Sequence, residues 1–491
     1  MKKILQHIPF YCFLFGPSII FFLYTHNYPN VFLEGTIRSL LVSACISGVL
    51  FGAIYYLFKK NQHKAGFITL LIMIPVFSYG LFYEFFEALY FKGKWPFANI
   101  HRYLLSFLIL FYGMLYILFA RAKRTYYSTT FPINIFILII ILINGINLFA
   151  KNSSKPISNH IENNSEDVKN NLSDTFPDIY YIILDGYAND ETLKKNYSYP
   201  NNSLTLFLKK NGFYVASESR GNYLVTSESL ASSLNYMYLD SLIKKNDATT
   251  ELVYKNKVSL YLKRMGYKIV HINSGYSVTS QNYYADENIS LKSLNEFERT
   301  LLKYTIFRLD DLLGYTQYNI LKEQFSSIHD LIKIKGPKFV FIHIVSPHPP
   351  YVCDENGNFK RSTRLINSWW QPREDYVSQT KYVNRNIQNF ITAAVAYQNK
   401  KPIIIIQSDH GPWMKSHSLT EVYNARSLIL NAYCIPYHWR NKLYKTITPV
   451  NSFPFIFNNL FTDSIPMIKD IITDSIGMGR YAQTNAMLNI E

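Results

Sequence analysis

The stretch PIIIIQSDHGPWM, Pro402 to Met414, decides the fold. Pro402 to Ile406 are apolar, and Gln407, Ser408, Asp409, His410 and Gly411 follow at once. A short β-branched run bounded by polar residues and glycine reads as a buried strand. A strand that ends in an acid beside an imidazole carries chemistry at its carboxyl end.

Working outward, Ile179–Leu184 (IYYIIL), Tyr267–Ile272 (YKIVHI) and Lys338–Ile344 (KFVFIHI) have the same buried character, with Gly212–Ala216 as a weaker fifth run. Helical patterns lie between them, at Ser203–Lys210, Ser227–Tyr238, Lys257–Met265 and Tyr382–Tyr397. Strands alternating with helices predict an α/β domain with a mostly parallel sheet covered on both faces. Asp185 follows the first strand, His343 ends the fourth run with His348 beyond it, and Asp409 and His410 follow the last. Ligands of open parallel sheets bind outside the carboxyl ends of the strands, so several strands bring acids and imidazoles to one edge.

Asp and His suit zinc or manganese, and Asp185, Asp409 and His410 supply three ligands. A hydroxyl in the open position is activated by the cation. Thr226, in NYLVTSESLASSLN, stands just before a helical run whose free N–H groups suit a phosphate or sulfate oxygen. Taken alone, Thr226 reads more readily as the cap of that helix. Arg426 and Asn222 are candidate substrate contacts, the first as a guanidinium for an anion; His417 is a third.

The first third of the chain is of another kind. Ile8–Tyr24, Ile37–Phe58, Phe67–Tyr90, Tyr103–Phe119 and Ile133–Ala150 are long and apolar, which predicts an α-helical bundle of five membrane spans. Glu84 and Glu87 either line a polar pocket among the helices or lie beyond the end of the third span. Lys2 and Lys3, then Lys59, Lys60 and Lys64, then Arg121, Lys123 and Arg124 place the N-terminus in the cytoplasm and the C-terminal part outside. Residues 151–176, rich in Asn and Ser, read as a polar linker between a span domain, 1–150, and a globular domain, 177–491. The net charge of +16 reads as basic loops and a Lys-rich surface. No basic helix, zinc module or RNA-binding motif points to nucleic acid. The four cysteines include no CxxC pair, and Cys353 and Cys434 are candidates for a disulfide if the globular part is outside.

YIILDGY, NYLVTSESLASSLN, HIVSPHPPY and SDHG together resemble the sulfatase-like branch of the alkaline phosphatase superfamily, over about Pro177 to Leu460. The apolar N-terminal segments resemble those of membrane-anchored lipoteichoic acid synthases and phosphoethanolamine transferases. The resemblance implies a metal site of Asp185, Thr226, Asp409 and His410. It implies that Thr226 is the nucleophile, and that His343 and His348 contact the transferred group or protonate the leaving oxygen. It implies one divalent metal, zinc or manganese, and a lipid-linked donor or an envelope lipid or glycan acceptor at a bacterial cytoplasmic membrane. No D-x-x-x-H element marks a second metal, for which His343, His348 and His417 are the available ligands. The Thr226 region lacks the Pro and Arg of the C/S-x-P-x-R motif of standard sulfatases, and the transferases often carry Glu where this chain has Asp185. The competing expectations are a membrane-anchored binding or assembly protein with an inactive enzyme fold, and a transporter formed by the spans, for which no internal repeat speaks.

Overall fold

The computed structural model describes residues 2–28, 33–91, 100–153, 176–239, 246–308, 310–360, 370, 372–397, 400–414 and 418–473. His417 and nearly all of the expected linker, residues 154–175, lie outside the described residues. The chain divides into two compact units. One holds Met1–Asn159 and Asn295–Leu309; the other holds His160–Leu294 and Asp310–Glu491.

In the first unit, four described helices are long and apolar enough to cross a membrane: Glu34–Leu57, Gln62–Leu89, Ile100–Arg121 and Tyr127–Lys151. Five were expected. The first apolar segment is broken at Ile8–Phe10, leaving a short helix Lys2–His7 and a 17-residue helix Tyr11–Asn27. Pro9 cannot donate to the preceding turn, so the break frees backbone groups that need other partners. Asn134 supplies them. Its Nδ2 donates to Leu5 O and Ile8 O, each at 2.8 Å, and its Oδ1 accepts Tyr11 N at 2.8 Å. The helix bearing Glu84 and Glu87 continues to Phe91. Glu84 pairs with Lys303 Nζ at 3.2 Å, and the buried Arg308 lies 3.6 Å from both Glu84 and Glu87. Those cations come from far along the chain. The helix Glu296–Tyr304 opens with a capping box of Asn295 and Glu298, and Glu298 is gripped by Arg38 through two guanidinium nitrogens. Gly80 admits this segment: a Cβ there would lie 2.4 Å from Tyr304 Cα.

In the second unit, β1 (Ile179–Leu184), β2 (Tyr214–Val215), β3 (Lys268–Ile272), β4 (Glu287–Ile289), β5 (Lys338–Ile344), β6 (Ile403–Gln407) and β7 (Asn431–Cys434) form one sheet. Its order is β2-β7-β6-β1-β5-β3-β4. The pairs β6–β1, β1–β5, β5–β3 and β3–β4 are parallel, whereas β6–β7 and β2–β7 are antiparallel. The sheet is therefore mixed. Its antiparallel edge comes from β7, a four-residue strand with Asn at its start that carries little strand signal.

Every residue of β1, β5 and β6 is buried. Both faces are covered, which is why these strands read as continuous apolar runs rather than alternating ones. Tyr180, Ile182, Leu184, Val340, Ile342, Ile344, Ile404 and Ile406 enter the core on one face. Ile179, Tyr181, Ile183, Phe339, Phe341, Ile403 and Ile405 enter the core on the other, where Leu230, Ala231 and Leu234 of the helix Thr226–Asn235 also pack. Cys353 and Cys434 are separate buried thiols and not a disulfide. Cys353 Sγ lies 3.7 Å from Gln379 Oε1, and burial pushes its thiol up to about 12.

Candidate metal centre and nucleophile

β1 lies between β5 and β6, with Ile183 opposite both His343 and Gln407. Three neighbouring strands thus end together; the residues after β1 and β6 meet, beside His343 of β5. One ligand atom from each of Asp185, Asp409 and His410 lies within 4.8 Å of the others, and all three residues are buried. Thr226 is the first residue of the helix Thr226–Asn235. Its Oγ1 lies 3.1 Å from His410 Nε2. The N-cap position is held by Val225, without a side-chain cap, so Thr226 is not spent on capping.

The backbone fixes the site from behind. Asp409 Oδ1 accepts Gly186 N at 3.0 Å and His410 N at 2.9 Å. His410 Nδ1 donates to Gly411 O at 3.0 Å, which leaves the Nε2 lone pair facing Asp185 and Asp409. Burial pushes the His410 imidazole well below its usual range, aided by the nearby Arg426 cation, so the ring is neutral. Asp185 Oδ1 and Asp409 Oδ2 are buried and accept no hydrogen bond. Burial raises the Asp409 carboxyl, and the Asp185 charge raises it further. Burial also opposes ionisation of Asp185, but His348 and the hydrogen bond from His343 outweigh it and hold that carboxyl below the usual range. Two acidic oxygens without partners beside a neutral imidazole fit a divalent cation, because a buried carboxylate is costly unless it is paired or coordinated.

His343 is wholly buried on the face covered by the Thr226 helix. Its Nδ1 meets Thr279 Oγ1 at 2.7 Å, and its Nε2 lies 3.4 Å from Asp185 Oδ2. His348 is half-buried, in the loop after β5. Its backbone N donates to Asp185 O at 3.1 Å, and its Nδ1 donates to Pro349 O at 2.7 Å. Its ring meets Trp370 edge-on at 4.7 Å. Trp370 covers Gly186 so closely that a Cβ there would lie 2.0 Å from the indole, and Gly186 also has φ of +68°. Both facts exclude a side chain at that position.

Two expected substrate contacts have framework partners instead. Arg426, 4 % exposed, donates from Nε to Leu224 O at 3.0 Å and from Nη1 to Gly411 O at 2.8 Å. It lies over the rings of Trp413 and Trp370, at 4.6 and 5.7 Å. The guanidinium therefore joins the approach to Thr226 to the turn after His410. Burial lowers it to about 9, against the pull of Asp409 and Asp185. Asn222 Nδ2 donates to Thr448 Oγ1 at 2.8 Å, Ile471 O at 2.9 Å and Tyr238 OH at 3.2 Å, and its Oδ1 accepts Val450 N at 2.9 Å. With its amide filled in this way, Asn222 has nothing left for an anion.

The sequence reading did not single out Thr279 or Trp370, and it took Ser229 only as one more hydroxyl near Thr226. Ser229 Oγ donates to Asp409 O at 2.7 Å, so the Thr226 helix and the metal loop are joined directly. Its place one turn beyond Thr226 was the available signal. For Trp370 the signal was the aromatic pair Trp369–Trp370 in the sequence. Thr279 gave none, being 64 positions from His343.

Residues 177–442 match the Sulfatase family. The comparison with curated proteins found no match. Among solved structures, the C-terminal periplasmic domain of EcEptC from Escherichia coli is similar, at 15% identity and a TM-score of 0.42 over 60% of this chain and 89% of that one. The same domain in complex with Zn is similar at 15% identity and a TM-score of 0.41, over the same shares of the two chains. The integral membrane protein lipooligosaccharide phosphoethanolamine transferase A from Neisseria meningitidis is similar at 11% identity and a TM-score of 0.39, over 93% of this chain and 95% of that one. The Sulfatase match spans Asp185, Thr226, His343, Asp409 and His410 and takes in more than half of the chain, which therefore belongs to the sulfatase family.

Proposed function

We propose that the chain is a metal-dependent hydrolase or transferase that uses Thr226 as nucleophile on phosphate, or sulfate, esters of envelope lipids or glycans. One observation carries the reading: the Thr226 hydroxyl sits 3.1 Å from His410 Nε2, beside two buried carboxylate oxygens that accept no hydrogen bond. Asp185, Asp409 and His410 would hold one divalent cation, zinc or manganese, with Thr226 beside it. When bound, the cation supplies positive charge that lowers the pKa of the hydroxyl and offsets charge on a phosphoryl oxygen.

The protein's own groups account for the rest. Thr226 Oγ1 gives up its proton to water and forms a bond to phosphorus. The bond from phosphorus to the donor's leaving oxygen breaks, and that oxygen takes a proton from the His348 imidazolium. An acceptor hydroxyl, or water, then bonds to phosphorus as the bond to Oγ1 breaks. The acceptor's proton goes to His348, and Oγ1 regains a proton from water. His343, held by Thr279, orients the Asp185 side. The positive dipole end at the N-terminus of the Thr226 helix suits the phosphoryl oxygens.

The four apolar helices carry this unit on a membrane protein, which suits a lipid donor or acceptor. Lys59, Lys60 and Lys64 around one helix junction and Arg121, Lys123 and Arg124 around another support a cytoplasmic face there, with the catalytic unit outside a bacterial cytoplasmic membrane. The test is mass spectrometry of the Thr226 peptide after incubation with envelope lipids. A phosphoryl-type adduct is expected on the intact chain and none on Thr226→Ala. An undiminished adduct in the variant would remove Thr226 from the role.

A further inference from the structure

The residues that follow the family-matched segment carry a second device. Beyond the helix Ser452–Leu460, residues 461–473 run without helix or strand. Asparagine amides hold this segment by its main chain. Asn458 Oδ1 accepts Ile465 N at 2.8 Å while its Nδ2 donates to Ile465 O at 2.7 Å. Asn451 treats Ile468 in the same way, at 3.0 and 2.7 Å. Asn222 Nδ2 donates to Ile471 O at 2.9 Å, and Asn222 O accepts Thr473 N at 2.7 Å. The gripped residues recur every third position, the repeat of an extended chain that has no hydrogen bonds of its own and must find them elsewhere.

Asp470 locks the segment. Its Oδ1 accepts Thr448 N at 3.0 Å, Thr448 Oγ1 at 2.6 Å and Asn451 Nδ2 at 2.9 Å, and its Oδ2 accepts Tyr444 OH at 2.6 Å. Tyr238 OH donates to Lys469 O at 2.8 Å and accepts Ile471 N at 2.9 Å. Asn222 and Tyr238 flank the helix Thr226–Asn235, one before it and one after it. The segment therefore holds both approaches to the helix that begins with Thr226.

We infer that residues 465–473 are a clamp that positions the Thr226 helix, with Asp470, Asn222 and Tyr238 as positioning residues. The inference rests on the reading of Thr226 as nucleophile, but its test has an arm that does not. In the full-length chain, hydrogen exchange over residues 222–239 is compared among the unchanged protein, Asp470→Ala and Asp470→Asn. Asp470→Ala is expected to speed exchange there roughly tenfold or more, with β1 and β5 unaffected. Asp470→Asn keeps an oxygen for Thr448 and Asn451 and is expected to restore protection. Unchanged exchange in Asp470→Ala would overturn the clamp. With bis(p-nitrophenyl) phosphate as probe, Asp470→Ala is expected to lower kcat roughly ten- to hundredfold while KM stays within about twofold. Faster exchange with kcat intact would make the segment merely structural and overturn the positioning role. If the unchanged protein neither turns over the probe nor forms a Thr226 adduct, the proposed reaction fails while the exchange arm still decides whether the clamp exists.

Discussion

Replacing Arg426 with methionine separates a framework role from a substrate role. The guanidinium is buried, donates to Leu224 O and Gly411 O, and lies over two indole rings. Methionine keeps the bulk of the stem and much of the ring contact but removes both donors. Gly411 O keeps the bond from His410 Nδ1, whereas Leu224 O loses the Arg426 bond and is left buried, at about 1–3 kcal/mol. The lost charge-assisted bonds add to this, and relief from burying a cation subtracts, so the net expectation is about 2 kcal/mol of destabilisation. In a domain of this size that lowers Tm by roughly 3–6 °C. Because Leu224 lies just before Thr226 and Gly411 just after His410, kcat should fall roughly tenfold or more with KM little changed. Differential scanning fluorimetry in detergent and steady-state kinetics read the two effects. An unchanged Tm with a raised KM and intact kcat would refute the framework role and return Arg426 to the substrate.

Gly411 has no special backbone angle; its constraint is space, since a Cβ would lie 1.9 Å from Ala425 O. Gly411→Ala is therefore expected to cost at least about 1–3 kcal/mol and to weaken cation binding, read by Tm and by metal titration. Removing metal with a chelator should lower Tm by an amount that falls with added zinc or manganese, about 2.7 kcal/mol separating the free protein from one at a hundredfold excess over Kd. A Tm indifferent to chelator and metal would count against a cation at Asp185, Asp409 and His410. His271 is buried in β3, and burial lowers it to about 4. The unfolded chain, titrating near pH 6.5, binds more protons below that pH, so stability is complete above it and is lost as pH falls toward 4. The loss is about 2 kcal/mol at pH 5, and His271→Leu should flatten that part of the stability profile in urea titrations.

The readable parts of the sequence were those whose signal is local. β1, β5 and β6 announced themselves because strands buried on both faces need an unbroken run of large apolar residues. Asp185, Asp409 and His410 were readable because each follows such a run and a parallel sheet sends those ends to one edge. The helix Ser203–Lys210 was readable with its ends, because Asn202 caps it and two lysines close it. β7 was hidden, since NAYC is short and gains its partner only by an antiparallel return beside β6. The roles of Arg426 and Asn222 were hidden for another reason. A polar residue near a reactive one looks the same in sequence whether it faces substrate or backbone. Only folding shows that Leu224 O and Gly411 O, far apart along the chain, share one guanidinium. In the first apolar segment Pro9 was visible, but nothing local shows that Asn134, more than 120 positions on, holds the broken turn.

The seat of residues 295–309 has a consequence for how the protein is made and cut. Arg38 and Glu298 are 260 positions apart, yet both belong to the helical unit. At about 5–20 residues per second, the ribosome reaches Glu298 roughly 13–52 s after Arg38, so the first helices wait that long for their last partner. A secreted fragment beginning at Pro177 would carry the helix Glu296–Tyr304 without Gly35, Arg38, Gly80 or Glu84. Its Glu298 and Arg308 would then lack the ion partners they have here, and its apolar face would meet water. Such a fragment invites aggregation through that one helix, and excising residues 295–309 with a short polar bridge is the rational way to obtain it soluble.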